Sequence, residues 1–362
     1  MYKSIRSLLF RLNPERAHAL TLHALRITGN ILPLQWLMAQ YFKAPSKPVE
    51  AFGLTFKNPV GLAAGYDKDG FAIRGLAALG FGHVEIGTVT PKPQPGNPSP
   101  RIFRLLEDEA VINRLGFPSK GSEYVQLRLN PSLRSGLFER IYGIQPRKRT
   151  GIITSIHKGG AMLGINLGKN KDTPNEEAVH DYMALVDSFS QYADYLTINI
   201  SSPNTVGLRE LQGRAALENL LSHLHQQRLV SQNIYKKQVP ILVKLAPDLT
   251  ISELDDAIQA ILRTKMDGII VTNTTLSREG LKSDLRGESG GLSGSPLRVR
   301  SETVLYQTLK LVNGAVPIVS VGGIMNPDDA KRRLEMGAAL VQIYTGLIYN
   351  GPGLAKQIVK GI

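Results

Sequence analysis

The sequence predicts an α/β fold: a (β/α)8 TIM barrel with a small helical extension at its amino end. Three observations point there. Eight short apolar runs recur between residues 58 and 346, most of them separated by a helix-length segment. A chain of 362 residues has room for a barrel of about 250 residues with insertions. The loop after the first run, "GLAAGYDKDG", lacks the glycine fingerprint, with an acid about 20 positions on, that an open doubly wound sheet usually carries.

Residues 1–48 read as a separate helical piece. Ile5, Leu8, Leu9 and Leu12 fall at helical spacing, with Lys3, Arg6 and Arg11 between them. Asn13-Pro14-Glu15 is a helix start, with Asn13 as cap and Pro14 in the first turn. Ala17, Leu20, Ala24 and Leu25 continue the stripe, and "ILPLQWLMAQYF" holds the chain's single tryptophan. Seven basic side chains stand against two acidic ones in the first 50 residues. A basic amphipathic extension of this kind can lie in a membrane interface; the same stripe also suits a cap packed on the main domain. "KAPSKP" at 43–48 is a linker signal.

The main domain then covers 49–362. Its expected strands are 58–64, 83–88, 163–168, 195–200, 240–246, 268–273, 317–323 and 340–346, with helices over 174–192, 250–264 and 326–336 among those between them. The stretch 91–162 breaks the rhythm. "PKPQPGNPSP" is a rigid loop, and "RIFRLLEDEAVINRLGF" reads as a hairpin turning at Glu107-Asp108-Glu109. An irregular basic insertion follows at about 118–162, with one helix near 121–129 and the cations Arg128, Arg134, Arg140, Arg147, Lys148, Arg149 and Lys158. Such a run is a solvated loop or a membrane or partner surface.

Composition narrows the function. The net charge of +13 suits anionic partners, although a solvated basic surface gives the same number. With no nucleic-acid motif or aromatic stacking platform, no nucleic acid is expected. The absence of cysteine excludes disulfides, thiolate zinc sites and a cysteine nucleophile or base. No run of about 18 apolar residues spans a membrane. "MYKSIRSLLFRL" has interspersed charge and reads as neither a signal peptide nor a transit peptide.

In a barrel the chemistry collects at the carboxyl ends of the strands. Asn166, Asn199 and Asn273 fall at three strand ends and Asn204 just beyond one. An amide both donates and accepts, so several converging on one cavity suit a planar ligand with alternating C=O and N–H groups. Any one of them alone would serve as a turn or cap. Gly322-Gly323 and Tyr344-Thr345-Gly346, with a helix start at Asn326-Pro327-Asp328, suit phosphate on backbone N–H groups; tight strand–helix packing also uses glycine. None of the seven histidines falls at a carboxyl strand end, so a Ser-His-Asp triad is not expected, and no metal cluster is. The only acids expected near the site are Asp67 and Asp69. Redox chemistry without metal or cysteine calls for an organic cofactor, and flavin mononucleotide (FMN) supplies both a phosphate and a ring.

The stretches "GLTFKNPVGLAAGYDKDG", "GTVTPKPQPGNPSPR", "INRLGF", "GINLGKNKDT", "NISSPNT", "VKLAPD", "TNTT", "GGLSGSPL", "VGGI" and "YTGLIY" run in order over about residues 53–349. In these the chain resembles the class 2, quinone-dependent dihydroorotate dehydrogenases, and "LNPERAH" resembles their membrane-facing extension. The resemblance implies FMN-dependent oxidation of dihydroorotate to orotate in pyrimidine biosynthesis, with ubiquinone or menaquinone as electron acceptor. It makes Ser202 the base that takes the C5 proton; a weakly basic hydroxyl needs a partner to pass the proton to, and Thr205 or Thr275 are the candidates in the sequence. Lys68, Asn113, Arg114, Leu115, Gly116, Phe117, Asn199, Asn204, Asn273 and Thr274 would hold the substrate, Lys68 facing its carboxylate. Ala64, Gly65, Tyr66, Asp67, Lys68, Thr88, Asn166, Asn199, Lys244, Thr272 and Gly294 would surround the flavin, and Gly323, Tyr344 and Thr345 would hold its phosphate end. It also implies a monomer lying on a membrane, with residues 1–48 forming the mouth of a quinone tunnel; the lack of a clear transit peptide favours the cytoplasmic face of a bacterial inner membrane over the mitochondrial inner membrane. Tyr66 and Pro118 depart from the family's usual residues. A sugar-phosphate isomerase barrel and a non-catalytic membrane-surface barrel are the competing readings.

Overall fold

The computed structural model describes residues 2–130 and 160–362. Each of the eight apolar runs forms a strand: β1 Val60–Leu62, β2 His83–Val89, β3 Met162–Leu167, β4 Tyr195–Asn199, β5 Ile241–Leu245, β6 Gly268–Val271, β7 Ile318–Val321 and β8 Leu340–Ile343. They pair in parallel and in sequence order, and β8 pairs back onto β1 to close the ring. Strands covered on both faces read as continuous apolar runs, and almost every residue in these eight is buried. The outer faces pack under helices such as Ala178–Phe189, Ile251–Arg263 and Pro327–Glu335, which begin and end within a few residues of the expected positions. Asn326 caps the last of these, its side chain accepting from the Asp329 N–H.

A short antiparallel hairpin, Val49–Ala51 with Leu54–Phe56, closes the amino end of the ring. Its strands are three residues each, too brief for a pattern, and the sequence reading passed over them. Phe56 is fully buried against His83 and Tyr195, at ring-centroid distances of 5.4 and 6.5 Å. Those rings fit because glycine faces them: a Cβ on Gly61 would fall 1.9 Å from the His83 ring, and one on Gly164 would fall 2.2 Å from Tyr195. The ring is therefore filled, not hollow, at this end.

At the carboxyl end a second sheet lies across the rim. The expected hairpin forms from Ile102–Leu105 and Ala110–Asn113, turning at residues 106–109. Gly291–Gly294 adds a third antiparallel strand, pairing Gly291 with Asn113. That strand is half glycine and its partner lies far away in the chain, so no local signal announced it.

Three helices precede the barrel: α1 Tyr2–Arg11, α2 Pro14–Asn30 and α3 Leu32–Tyr41. The α2 start is as expected, with Pro14 in the first turn and the Asn13 side chain accepting from the N–H groups of Glu15 and Arg16. α2 lies on the short helix Ile73–Ala77 through Gly29 and Gly75; a Cβ on Gly29 would come within 2.4 Å of the Gly75 nitrogen. Of the 21 large apolar side chains exposed among the described residues, eleven belong to residues 5–41, including Leu32, Trp36 and Leu37 on α3. No described helix is long and apolar enough to cross a membrane. Ser122–Leu129 is helical as expected, and Arg128 donates from it to the carbonyls of Gly70 and Phe71. The other cations of the basic insertion, Arg134 to Lys158, lie outside the described residues.

Candidate active site

A cavity of about 980 Å3, counted to its open mouth, sits at the carboxyl ends of the strands. Nearly every strand of the ring sends residues into it. The loop after β1 supplies Ala64, Gly65 and Lys68; β2 supplies Thr88; β4 and its exit supply Asn199, Ser202 and Asn204. Lys244 comes from β5, Thr272 to Thr274 from the end of β6, Gly322 and Gly323 from β7, and Gln342 to Gly346 from β8 and its exit. The rim sheet adds Asn113, Leu115 to Phe117, Ser293 and Gly294.

The amides are joined, not merely close. Asn199 donates from Nδ2 to Thr88 Oγ1 and to Asn166 Oδ1, both at 3.0 Å, and Thr88 donates to the same Asn166 oxygen at 2.7 Å. Asn273 Nδ2 donates to Ser201 Oγ at 3.0 Å and to Asn199 Oδ1 at 3.3 Å. Asn204 donates to Asn113 Oδ1 at 3.2 Å, tying the rim sheet to the exit of β4. Buried amides tied to one another in this way hold single orientations, which is what recognition of a patterned ring requires.

Two lysines give the cavity its charge. Lys244 is buried and has no hydrogen-bond partner among the described residues. Loss of solvent lowers its pKa, and the Glu85 carboxylate beneath it opposes that shift. Lys68 donates to the Gly65 carbonyl at 2.6 Å. Desolvation brings it down to about 8, opposed chiefly by Asp69. Ser202 Oγ accepts from the Asn204 N–H at 3.2 Å. It has no hydrogen bond to Thr205 or Thr275 among the described residues, and the Thr275 hydroxyl donates to Asp248 instead.

The far end of the cavity is built from backbone. Gly323 has φ +72°, and a Cβ there would fall 2.4 Å from Arg298 Cα, so only glycine fits. The N–H groups of Gly323 and Ile324 have no partner among the described residues. The first turn of Thr345–Asn350 also opens here, with Thr345 and Gly346 in the cavity wall.

Four residues expected at the site do not line this cavity. Asp67 turns away to accept from the N–H groups of Phe71 and Ala72. Arg114 pairs with Glu288 at 2.6 Å on the outer side. Asn166 lies one layer below, behind Thr88 and Asn199. The Tyr66 ring packs edge-on against His18 and Tyr344, 4.9 and 5.9 Å between centroids. It faces a second cavity of about 970 Å3, shared with α2 and lined by His18, Leu22, Phe71, Arg101, Pro118 and Tyr124 among others. Lys68 and Leu115 line both cavities.

The expectation about nearby acids needs correction. Asp69 accepts from the Lys120 N–H and still acts on Lys68, but it is not the only acid close by, since Glu85 lies directly under the cavity, inside the ring. Glu85 and Gln342 each carried a signal that went unread: a polar residue in an otherwise apolar strand, where burial demands a partner. No histidine lines the cavity. His83 is sealed at the amino end, and burial brings it down to about 3.

A family model described as dihydroorotate dehydrogenase matches residues 47–362. A protein of Idiomarina loihiensis named dihydroorotate dehydrogenase (quinone) is 46% identical over 360 residues, covering 99% of each chain. One of Shewanella oneidensis with the same name is 46% identical, covering 99% of this chain and 98% of its own. Among solved structures, DHODH of Eimeria tenella in complex with ferulenol superposes with a TM-score of 0.78 at 39% identity, over 96% of this chain and 90% of that one. The ligand-free form gives 0.76 at 41% identity, over 90% of both.

Proposed function

The chain belongs to the dihydroorotate dehydrogenase family, and from that premise we propose how its residues carry out the quinone-linked reaction, oxidation of dihydroorotate to orotate in pyrimidine biosynthesis. One observation carries the assignment. In a chain without cysteine, the Ser202 hydroxyl opens into the same cavity as Lys68, Lys244 and the amides of Asn113, Asn199, Asn204 and Asn273.

The cavity suits FMN. Its glycine end offers free N–H groups to a phosphate, next to the start of Thr345–Asn350. Deeper in, Gln342 Oε1 is a buried acceptor with no partner among the described residues, suited to a ring N–H. Ala64, Gly65, Thr88, Thr272, Gly294, Gly323, Tyr344 and Thr345 would surround the cofactor, and Lys244 would favour negative charge on its ring. Bound there, flavin supplies a hydride acceptor and a carrier of electrons to quinone.

This chain's own residues bind the substrate and move its proton. Lys68, as the ammonium, pairs with the carboxylate of dihydroorotate. Asn113, Asn199, Asn204 and Asn273 match the alternating C=O and N–H groups of its ring with oriented amides, and Thr274 and the wall from Leu115 to Phe117 close around it. Ser202 Oγ receives the C5 proton as hydride departs from C6. Serine is weakly basic, so it works only in concert with that departure and with onward transfer of the proton. Its Asn204 N–H contact holds Oγ in place, and with Thr275 committed to Asp248, a water is the simplest onward acceptor.

The second cavity is where quinone would approach. It opens between α2 and the barrel, and it meets the first across Lys68 and Leu115; α2 belongs to the same helical extension whose residues 5–41 carry eleven exposed large apolar side chains. With the basic charge of residues 1–50, these helices would rest on an anionic bilayer without crossing it, placing the protein peripherally on the cytoplasmic face of a bacterial inner membrane as a monomer.

Ser202→Ala is expected to retain FMN and to lose roughly 10²- to 10⁴-fold in kcat at pH 7. Stopped-flow reduction by dihydroorotate checks this, and an undiminished rate would remove Ser202 as base. Lys68 is charged below about 8 and neutral above it. The dissociation constant of orotate should therefore rise by up to about tenfold per pH unit once the pH exceeds that value. A flat profile from pH 7 to 9.5, read by titration, would contradict the carboxylate pairing. Replacing Leu32, Trp36 and Leu37 together by glutamate should leave reduction by dihydroorotate intact and cut binding to anionic vesicles by roughly tenfold or more. Co-sedimentation unchanged by the triple replacement would refute the membrane-facing role of α3.

A further inference from the structure

We infer that Glu85 is a positioning residue of this site: from inside the ring, its carboxylate fixes which atom each amide above it turns toward the cavity. The inference rests on the flavin reading above and adds a residue that never lines the cavity itself.

Glu85 is fully buried on β2, and three donors from three other strands converge on it. Asn166 Nδ2 reaches Oε1 at 2.8 Å; Gln342 Nε2 and the Tyr195 hydroxyl reach Oε2 at 2.9 and 3.1 Å. A carboxylate accepts and never donates. Both amides must therefore turn nitrogen toward it and oxygen away. For Asn166, that sends Oδ1 to the Thr88 hydroxyl and to Asn199 Nδ2. Asn199 is oriented in turn, its Oδ1 meeting Asn273 Nδ2. Asn273 then presents its own Oδ1 to the Thr274 N–H at 2.8 Å. For Gln342, the same rule turns Oε1 into the cavity wall, buried and without a partner among the described residues. One anion thus sets the direction of four amides, and the acceptor it leaves open is the one a ring N–H of the cofactor would satisfy.

A glutamine at position 85 could not do this. It has one oxygen and one nitrogen where the carboxylate has two acceptors. Either Asn166 reverses and breaks with Thr88 and Asn199, or Gln342 reverses and points Nε2 into the cavity. The second change of the pair restores every direction. With Glu85→Gln and Asn166→Asp together, the new carboxylate accepts from Thr88, Asn199 and the nitrogen at 85, and the oxygen at 85 accepts from Tyr195 and Gln342.

The test titrates FMN into flavin-stripped protein by quenching of flavin fluorescence, with the visible spectrum and the midpoint potential of the bound flavin recorded alongside. Glu85→Gln should bind FMN roughly 10- to 100-fold more weakly than the parent, the cost of one buried group left mispaired. Asn166→Asp alone sets two carboxylates face to face and should also weaken binding. The double variant should recover most of the affinity, together with the parent's band shape. Parent-like affinity in Glu85→Gln, or a double variant as weak as the worse single, overturns the inference. Should the single variants not accumulate as folded protein, the double decides alone: FMN uptake near the parent's supports the inference, and insoluble or flavin-free protein overturns it. A parent chain that takes up no FMN overturns the flavin reading and the inference with it. A parent that binds FMN while the double shows no rescue overturns the inference alone.

Discussion

A closed ring of eight parallel strands, stoppered at one end, is the constraint on which the rest of this molecule depends. Closure leaves the ring no free edge, and shared strand direction puts all eight carboxyl ends on one face. Phe56, His83 and Tyr195 fill the amino end, so water reaches the interior only from above. A polar side chain placed inside costs about 1–3 kcal/mol when it finds no partner within the ring or in a ligand. Asn166, Asn199 and Thr88 are satisfied among themselves and through the carboxylate of Glu85, whereas Gln342 pairs its nitrogen with Glu85 and leaves its buried oxygen without a partner among the described residues.

The layout separates two tasks. One cavity is amide-lined and bordered by the rim sheet; the other opens under α2 among His18, Leu22 and Phe71, with Glu15, Arg101 and Lys120 also in its wall. They meet at Lys68 and Leu115, with Tyr66 packed between His18 and Tyr344 alongside. Tyr66 belongs to the second side, which is why it does not crowd the first.

The fold was legible where periodicity was strong. Buried parallel strands announce themselves as apolar runs, and the Asn13 and Asn326 caps followed from their sequence signatures. What stayed hidden was non-local or brief: the plug hairpin of two three-residue strands, and the glycine-rich strand Gly291–Gly294. At the site, the strand-end residues Asn199, Ser202, Asn204, Asn273 and Lys244 were found because a barrel places its chemistry there. Asp67 and Arg114 were misplaced because a motif gives neighbours along the chain, not the direction of a side chain. One turned to cap a loop and the other to meet Glu288. Glu85 was missed for the opposite reason: it sits mid-strand, beneath the residues that line the cavity, where no motif ends.

The most direct test of the account is an anaerobic visible spectrum of the purified protein before and after dihydroorotate is added. The account predicts a flavin band at the start, released by denaturation as FMN, that bleaches on addition of dihydroorotate and returns when quinone is supplied. A flavin band that dihydroorotate leaves unchanged, or no flavin band even after reconstitution with FMN, would contradict it.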